Sequence, residues 1–213
     1  MDNISIIIRN KNESDYIGFS LQSCIEFFDR PEIIVINNNS TDDSIDVVQS
    51  FNNRTKIKVK NINKYKPGES INLGVKHSSN DYILVLSAHS QVINLDFKKI
   101  KKQLKDHKAV FGKQIPILRG KKVTPGYIWS NFTDETEINK FSKIENRPFL
   151  HNAFCFYKRE TLIEFPMPEN YSGKEDRYWA KDIIDKGHTY LYDPNYVAHH
   201  FWTKNGATWR GLV

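Results

Sequence analysis

Cysteine is nearly absent from this chain: Cys24 and Cys155 lie far apart and form no CxxC pair. That excludes a disulfide framework and fits a reducing cytosol better than an oxidising compartment. Glycine and proline are scarce too, at 10 and 8 of 213 residues, which excludes a collagen-like or low-complexity chain. No apolar run approaches the roughly 20 residues that a membrane-spanning helix needs. The N-terminal stretch Ile4-Ser5-Ile6-Ile7-Ile8 is too short for a signal peptide and runs at once into Arg9-Asn10-Lys11-Asn12. Neither sign of charge dominates: 31 Lys+Arg against 25 Asp+Glu leave a net +6. Such an excess suits an anionic ligand or surface, and no nucleic-acid recognition module is visible. What remains is a 39% hydrophobic, 26% charged chain of single-domain size. Its expected location is the cytoplasm, at most peripheral at the inner face of the membrane.

Residues 1–94 read as alternating strands and helices. The run 4–8 is β-branched and apolar, as in a strand covered on both faces. Ser14-Asp15 stands where a helix cap would, before Tyr16, Ile17, Phe19, Leu21, Ile25 and Phe28 at helical spacing. A second buried strand, 32–36, stops at the turn-forming cluster Asn37-Asn38-Asn39-Ser40-Thr41-Asp42. A third strand alternates over 56–62, and Pro67-Gly68 precedes another helix. The most apolar strand, 81–86, ends on Ser87-Ala88-His89-Ser90. Repeated β-α-β units predict a mostly parallel central sheet flanked by helices, with ligands beyond the carboxyl ends of its strands. Residues 9–13, 37–42 and 87–90 then surround one cleft.

Residues 95–213 are less regular. A helix over 95–108 carries six lysines from Lys98 to Lys108. They are either a solvated face or an attraction to anionic lipid. A strand resumes at 110–115, and the polar stretch 119–147 reads as a lid. Phe154-Cys155-Phe156-Tyr157 is a short strand, and a helix over 177–186 closes at Gly187. No repeat or linker divides the chain, so 1–213 is read as one domain, with a regular half (1–94) and a less regular half (95–213).

Three clusters carry chemistry. His89 can ligate a borderline cation through a neutral imidazole nitrogen, or hydrogen-bond backbone or ligand directly. Glu175 and Asp176 open the 177–186 helix, where acids serve as caps and dipole partners or as an exposed general base, with Trp179 as an apolar platform. His199-His200 ends a strand, so the two point to opposite faces and one reaches the cleft.

In order, these segments resemble the inverting family 2 glycosyltransferases of the GT-A fold, closest to the bacterial rhamnosyltransferase-like branch. Residues 4–13 are similar to the family's first strand and its nucleotide-contacting end. EIIVINNNSTDD (32–43) is similar to its nucleobase turn, and PGESINLG (67–74) to the segment carrying Arg-Asn before Gly. DYILVLSAHS (81–90) resembles the strand ending in Asp-x-Asp, and Asn152-Ala153-Phe154 the acceptor-side strand. Glu175-Asp176 with Arg177-Tyr178-Trp179-Ala180 matches the ED…WA helix start. The departures are Asn37 and Asn38 for acids, Ile71 for Arg, and Ser87 and His89 for both acids of Asp-x-Asp.

The resemblance implies sugar transfer from a nucleoside-diphosphate sugar to a glycan or lipid-linked hydroxyl, in cell-surface polysaccharide synthesis. Asp176 is the implied base, with Glu175 beside it. Arg9, Glu13, Asn37, Asn38, Asn72, Ser87 and His89 are the implied nucleotide-sugar contacts, and Asn152 and Trp179 the acceptor contacts. Aromatics near 127–132 are expected to stack on sugar faces. A divalent metal, Mn²⁺ before Mg²⁺, would sit among His89, His199 and His200. The rival readings are a non-catalytic scaffold that keeps the fold and a nucleotidyltransferase, the latter lacking a Gly-rich phosphate loop.

Overall fold

The computed structural model describes residues 2–122, 127–204 and 206. Strands β1 (Ile4–Asn10), β2 (Glu32–Asn37), β3 (Lys56–Asn61) and β4 (Tyr82–Ser87) alternate with helices α1 (Ile17–Phe27), α2 (Ser44–Gln49) and α3 (Pro67–His77). β5 (Ser90–Asn94), α4 (Phe97–Asp106) and β6 (Ala109–Leu118) follow, then the two-residue strands β7 (Lys121–Lys122), β8 (Glu137–Ile138), β9 (Phe141–Ser142) and β10 (Arg147–Pro148). The chain continues through β11 (Phe154–Lys158), α5 (Arg159–Glu164), α6 (Glu175–Asp185) and β12 (Leu191–Phe201).

The sheet order is β3-β2-β1-β4-β11-β6-β12-β5. The first four strands are mutually parallel, as the β-α-β reading predicts. β11 then runs antiparallel to β4 and β6, and β5 antiparallel to β12. The second half therefore departs from a parallel sheet. The strand β5 is missed by sequence because it is five residues long and half exposed.

Period-two alternation distributes the apolar residues. Ile4, Ile6, Ile8, Ile33, Val35, Leu84, Leu86, Phe154 and Phe156 pack on one face with α1 and α4. Ile7, Ile34, Ile36, Ile83, Val85, Cys155 and Tyr157 pack on the other with α3 and α6. Both faces are covered, which explains strands that read as continuous apolar runs. The central strands are thereby rigid, and their carboxyl ends hold the site.

Several local expectations change. The Ser14-Asp15 cap is not made; Tyr16 is the N-cap of α1, with no side-chain cap bond. The 119–147 stretch is partly core: Trp129 and Phe132 are buried, and Tyr127–Asn131 forms a 3-10 turn. Residues 123–126 of that stretch lie outside the described residues. Gly187 does follow the last turn of α6, at φ +80, with its N–H donating to Ile184 O. β12 is longer than expected and accommodates Pro194 at a register shift against β6. No described helix is long and apolar enough to cross a membrane.

Candidate active site

The ends of β1, β2 and β3 place Asn10, Asn37 and Asn61 side by side in register. Asn10 Nδ2 donates to Asn37 Oδ1 at 3.3 Å, and Asn37 Nδ2 donates to Asn61 Oδ1 at 2.9 Å. Ser40 Oγ accepts from both Asn10 Nδ2 and the Asn12 N–H, so the turn after β2 is bound to the turn after β1. Asn37 is 4% exposed and its amide is consumed by this ladder. Its side chain ties the ends of β1, β2 and β3 together. Asn38 is half-buried and makes no side-chain hydrogen bond among the described residues, which leaves its amide for a ligand.

The turn between β4 and β5 carries Ser87 and His89. His89 Nδ1 lies 3.1 Å from Glu13 Oε1, and its Nε2 lies 3.1 Å from Ser87 Oγ. Thr203 Oγ1 also donates to Glu13 Oε1, at 3.0 Å. Three segments distant in sequence are thus gathered on one carboxylate. His200 packs against His89 with ring centroids 4.8 Å apart and meets Trp129 edge-on at 5.0 Å. Its Nδ1 donates to Gln114 Oε1 at 2.7 Å, and Gln114 Nε2 donates to His151 Nδ1 at 2.9 Å. His199 sits on the other face of β12, beside Phe201, which stacks on Tyr16. So of the tandem pair only His200 joins His89, as strand alternation requires.

A metal shared by His89, His199 and His200 does not match this placement. Among the described residues no three His, Cys, Asp or Glu side chains stand where they could hold an ion together. Both ring nitrogens of His89 are already engaged, by Glu13 and Ser87. Hard divalent cations favour several oxygen ligands, and the one carboxylate here is bonded to the imidazole and a threonine. The donor set fits a divalent ion poorly.

The acidic pair opens α6. Glu175 is 4% exposed and Asp176 6%, so the expected exposed base is instead buried. Each carboxylate has its own arginine. Arg9 Nη1 donates to Glu175 Oε1 at 3.0 Å, and Arg177 Nη1 donates to Asp176 Oδ2 at 2.9 Å. Asn152 joins the two: its N–H donates to Asp176 Oδ2 at 3.0 Å, and its Nδ2 reaches Glu175 Oε1 at 3.5 Å. The buried Tyr157 hydroxyl donates to Asn152 Oδ1 at 2.5 Å and so fixes which end of that amide faces Glu175. Burial alone would raise the Asp176 carboxyl, but Arg177 and the Asn152 N–H outweigh it and hold it below its usual value. Burial, then the neighbouring Asp176 charge, push Glu175 up, against the pull of Arg9. Two adjacent acids with opposite shifts divide into a charged and a more proton-holding partner.

Other expectations are corrected. Arg9 faces Glu175 rather than standing open to a nucleotide. Burial works against its charge, but Tyr65, Glu175 and Asp176 prevail and its guanidinium holds its proton more firmly than usual. Trp179 is 1% exposed, bonded through Nε1 to Phe165 O and edge-on to Tyr157, so it is core and not a sugar platform. Trp129 and Phe132 are buried against His200 and Phe149. Asn72 ties α3 to the 166–169 loop through Met167 and Glu169. That loop comes so close that a Cβ at Gly68 would lie 2.2 Å from Pro168 O. Ile71 is fully buried, so the family's arginine at that place has no room here. Sequence reading missed Gln114, Glu145, His151 and Tyr157. None lies in a motif, although His151 adjoins Asn152, which does.

The sheet order, the acidic pair and the polar strand ends define a GT-A glycosyltransferase fold. The chain superposes on TarS 1–349 of S. aureus in complex with UDP-GlcNAc, with TM-score 0.71 and 19% identity, covering 99% of this chain and 61% of that one. It superposes on the mannosyltransferase PcManGT of Pyrobaculum calidifontis, in complex with GDP-Man and Mn²⁺, with TM-score 0.75 and 18% identity, covering 98% and 59%. The family described as Glycosyl transferase family 2 matches residues 5–165, and the chain belongs to that family. An uncharacterized glycosyltransferase of Haemophilus influenzae is 30% identical over 158 residues, 71% of this chain and 46% of that protein. The chain therefore spans about half of that relative and about three fifths of the two superposed chains.

Proposed function

We propose that this chain transfers a sugar from a nucleoside-diphosphate sugar to a hydroxyl of a glycan or lipid-linked acceptor, with inversion. The observation that carries the reading is the Glu175–Asp176 pair at the start of α6, each acid held by its own arginine, facing the polar strand ends. The acceptor oxygen forms a bond to the anomeric carbon while the bond to the diphosphate oxygen breaks. The electron pair leaves with the nucleoside diphosphate, and the acceptor proton goes to the Asp176 carboxylate. One displacement from the opposite face inverts the anomeric centre.

The turn after β2, with Asn38 open, supports nucleotide contact there, and Ser87 and His89 border the diphosphate region. The mannosyltransferase complex contains Mn²⁺ together with GDP-Man. The donor set described above suits it poorly, so no step here depends on it. Lys98, Lys102 and Lys105 form an exposed stripe on α4 that supports peripheral contact with anionic lipid. That contact accords with a cytoplasmic enzyme of cell-surface polysaccharide synthesis, and the sequence motifs resemble the rhamnosyltransferase-like branch.

The test is nucleoside-diphosphate release from a panel of UDP-, GDP-, CDP- and dTDP-sugars, with calorimetric binding of the free nucleotides. Asp176→Asn should abolish release and leave nucleotide affinity within about threefold. Retained turnover removes Asp176 as the base. Release of pyrophosphate instead would mark nucleotidyl transfer, and binding of no nucleotide would favour the scaffold.

A further inference from the structure

The base just assigned is masked. Asp176 Oδ1 accepts the Arg177 N–H at 2.9 Å, and Oδ2 accepts both the Asn152 N–H and Arg177 Nη1. Three donors stabilise the charged form of this carboxylate and weaken it as a proton acceptor, so withdrawal of one of them strengthens the base. The two backbone donors are fixed by α6 and by the segment leading into β11. The guanidinium is the donor that can move.

Arg177 has a second carboxylate within reach. Its Nη2 donates to Glu145 Oε1 at 3.2 Å. Glu145 sits in the turn of the β9–β10 hairpin, a separate two-stranded unit packed on α6, and its N–H is tied to Ser142 Oγ at 3.0 Å. Both side chains are 3% exposed. This ion pair is half made. Arg177 Nε and Glu145 Oε2 are both buried and without a hydrogen-bond partner among the described residues. Nε–H and Nη2 share one edge of the guanidinium, the edge that takes a carboxylate side-on in a bidentate pair. The unused donor and the unused acceptor thus belong to the same contact. Completing it turns that edge fully onto Glu145 and draws Nη1 away from Asp176. An unsatisfied buried donor and acceptor each cost stability, so the alternative pairing has a source of free energy.

We propose that Arg177 moves between Asp176 and Glu145, so that the hairpin glutamate is a positioning residue that unmasks the catalytic base. The proposal rests on the reading of Asp176 as base. The surroundings of Asp176 fix the sign of the effect. Arg177 and Glu175 face it from α6, Arg9 from β1, Cys155 and Tyr157 from β11, and His151 from the preceding segment. Lys174 Nζ and Arg147 Nε lie 3.8 and 4.0 Å from Glu145 Oε2, too far to hydrogen-bond it but near enough to share its charge, and both stay with it. Removing the Glu145 charge leaves Arg177 wholly to Asp176, which then binds a proton less readily. Removing the Arg177 side chain leaves only Arg9 and the two backbone N–H donors against burial and Glu175, which does the reverse.

The experiment is a carbon-13 carboxyl NMR titration of the full chain, with the Asp176 signal assigned by its loss in Asp176→Asn. Glu145→Gln should move the Asp176 titration down by at least about half a pH unit, and Arg177→Met should move it up by about one or more. Where the sugar panel identifies a donor, Glu145→Gln should also lower kcat about tenfold or more, with KM changed less than about threefold. If Glu145→Gln fails to fold, Glu145→Asp tests the same contact, with a smaller downward shift. An unchanged Asp176 titration beside a lowered melting temperature would make Glu145 a structural ion pair and overturn the proposal. If no nucleotide binds to the wild type, the glycosyltransferase reading fails instead, while the titration still decides where Arg177 sits.

Discussion

Acid should weaken this fold through His151, and the size of the effect follows from its surroundings. The ring is 6% exposed and enclosed by Phe132, Phe149 and His200. Its Nδ1 accepts from Gln114 Nε2 at 2.9 Å and lies 3.4 Å from the Ala153 N–H. A proton on Nδ1 would set an N–H against two donors. Burial first, then the positive charges of Arg177 and Arg9, hold this imidazole down to about 3, against an ordinary 6.5. The unfolded chain therefore binds a proton below pH 6.5 that the native chain refuses until about pH 3. Stability falls as pH drops through that window, by about 1.4 kcal/mol per unit, or about 2 kcal/mol between pH 7 and pH 5. The assay is urea unfolding at pH 7, 6 and 5 for the wild type and for His151→Asn. The variant starts from its own baseline, and its decline should be shallower by about 2 kcal/mol over the range. Equal slopes in the two proteins would refute the argument that this ring is buried neutral.

Three further outcomes are expected. Glu32 accepts from Ser5, Lys58 and Ser79; burial opposes its charge, but these donors hold it down to about 2. The stability it adds is complete above its ordinary value and is lost as pH falls toward 2. Glu32→Gln should cost about 1–3 kcal/mol at pH 7 and flatten the acid decline in a denaturant series between about pH 4.5 and pH 2. A methyl at Gly74 would stand 2.5 Å from Ile7 Cγ2 and 2.8 Å from Cδ1. Despite its better helix propensity, Gly74→Ala should cost about 1–2 kcal/mol by calorimetric unfolding, partly recovered with Ile7→Val. Nucleoside-diphosphate affinity should differ less than about threefold between EDTA and Mn²⁺, and a tenfold gain with Mn²⁺ would contradict the donor-set argument.

Much of the frame is legible in one dimension because its physics is local. Short, mostly apolar, β-branched runs such as 4–8, 32–36 and 82–86 point to strands covered on both faces, and the helices between them make those strands parallel. The polar residues at their ends follow, since turns begin where the ladder stops. Asp176 and Glu175 are likewise readable from their place at a helix start. The β5 and β12 pairing is less so, because one strand is short and the other interrupted by Pro194.

What the tertiary structure alone decides is whom each of these side chains meets. Trp179 sits in the acidic-pair motif and Trp129 among aromatics expected to stack on sugars, yet packing from both sides of the sheet turns both into core. Arg177 neighbours Asp176 in sequence, but Arg9 becomes the partner of Glu175 only because β1 and α6 converge, 166 residues apart along the chain. Glu145 has no motif at all. Its bearing on the base arises from a hairpin docking on α6, since an ion pair's strength depends on separation and burial in space, which spacing along the chain does not encode.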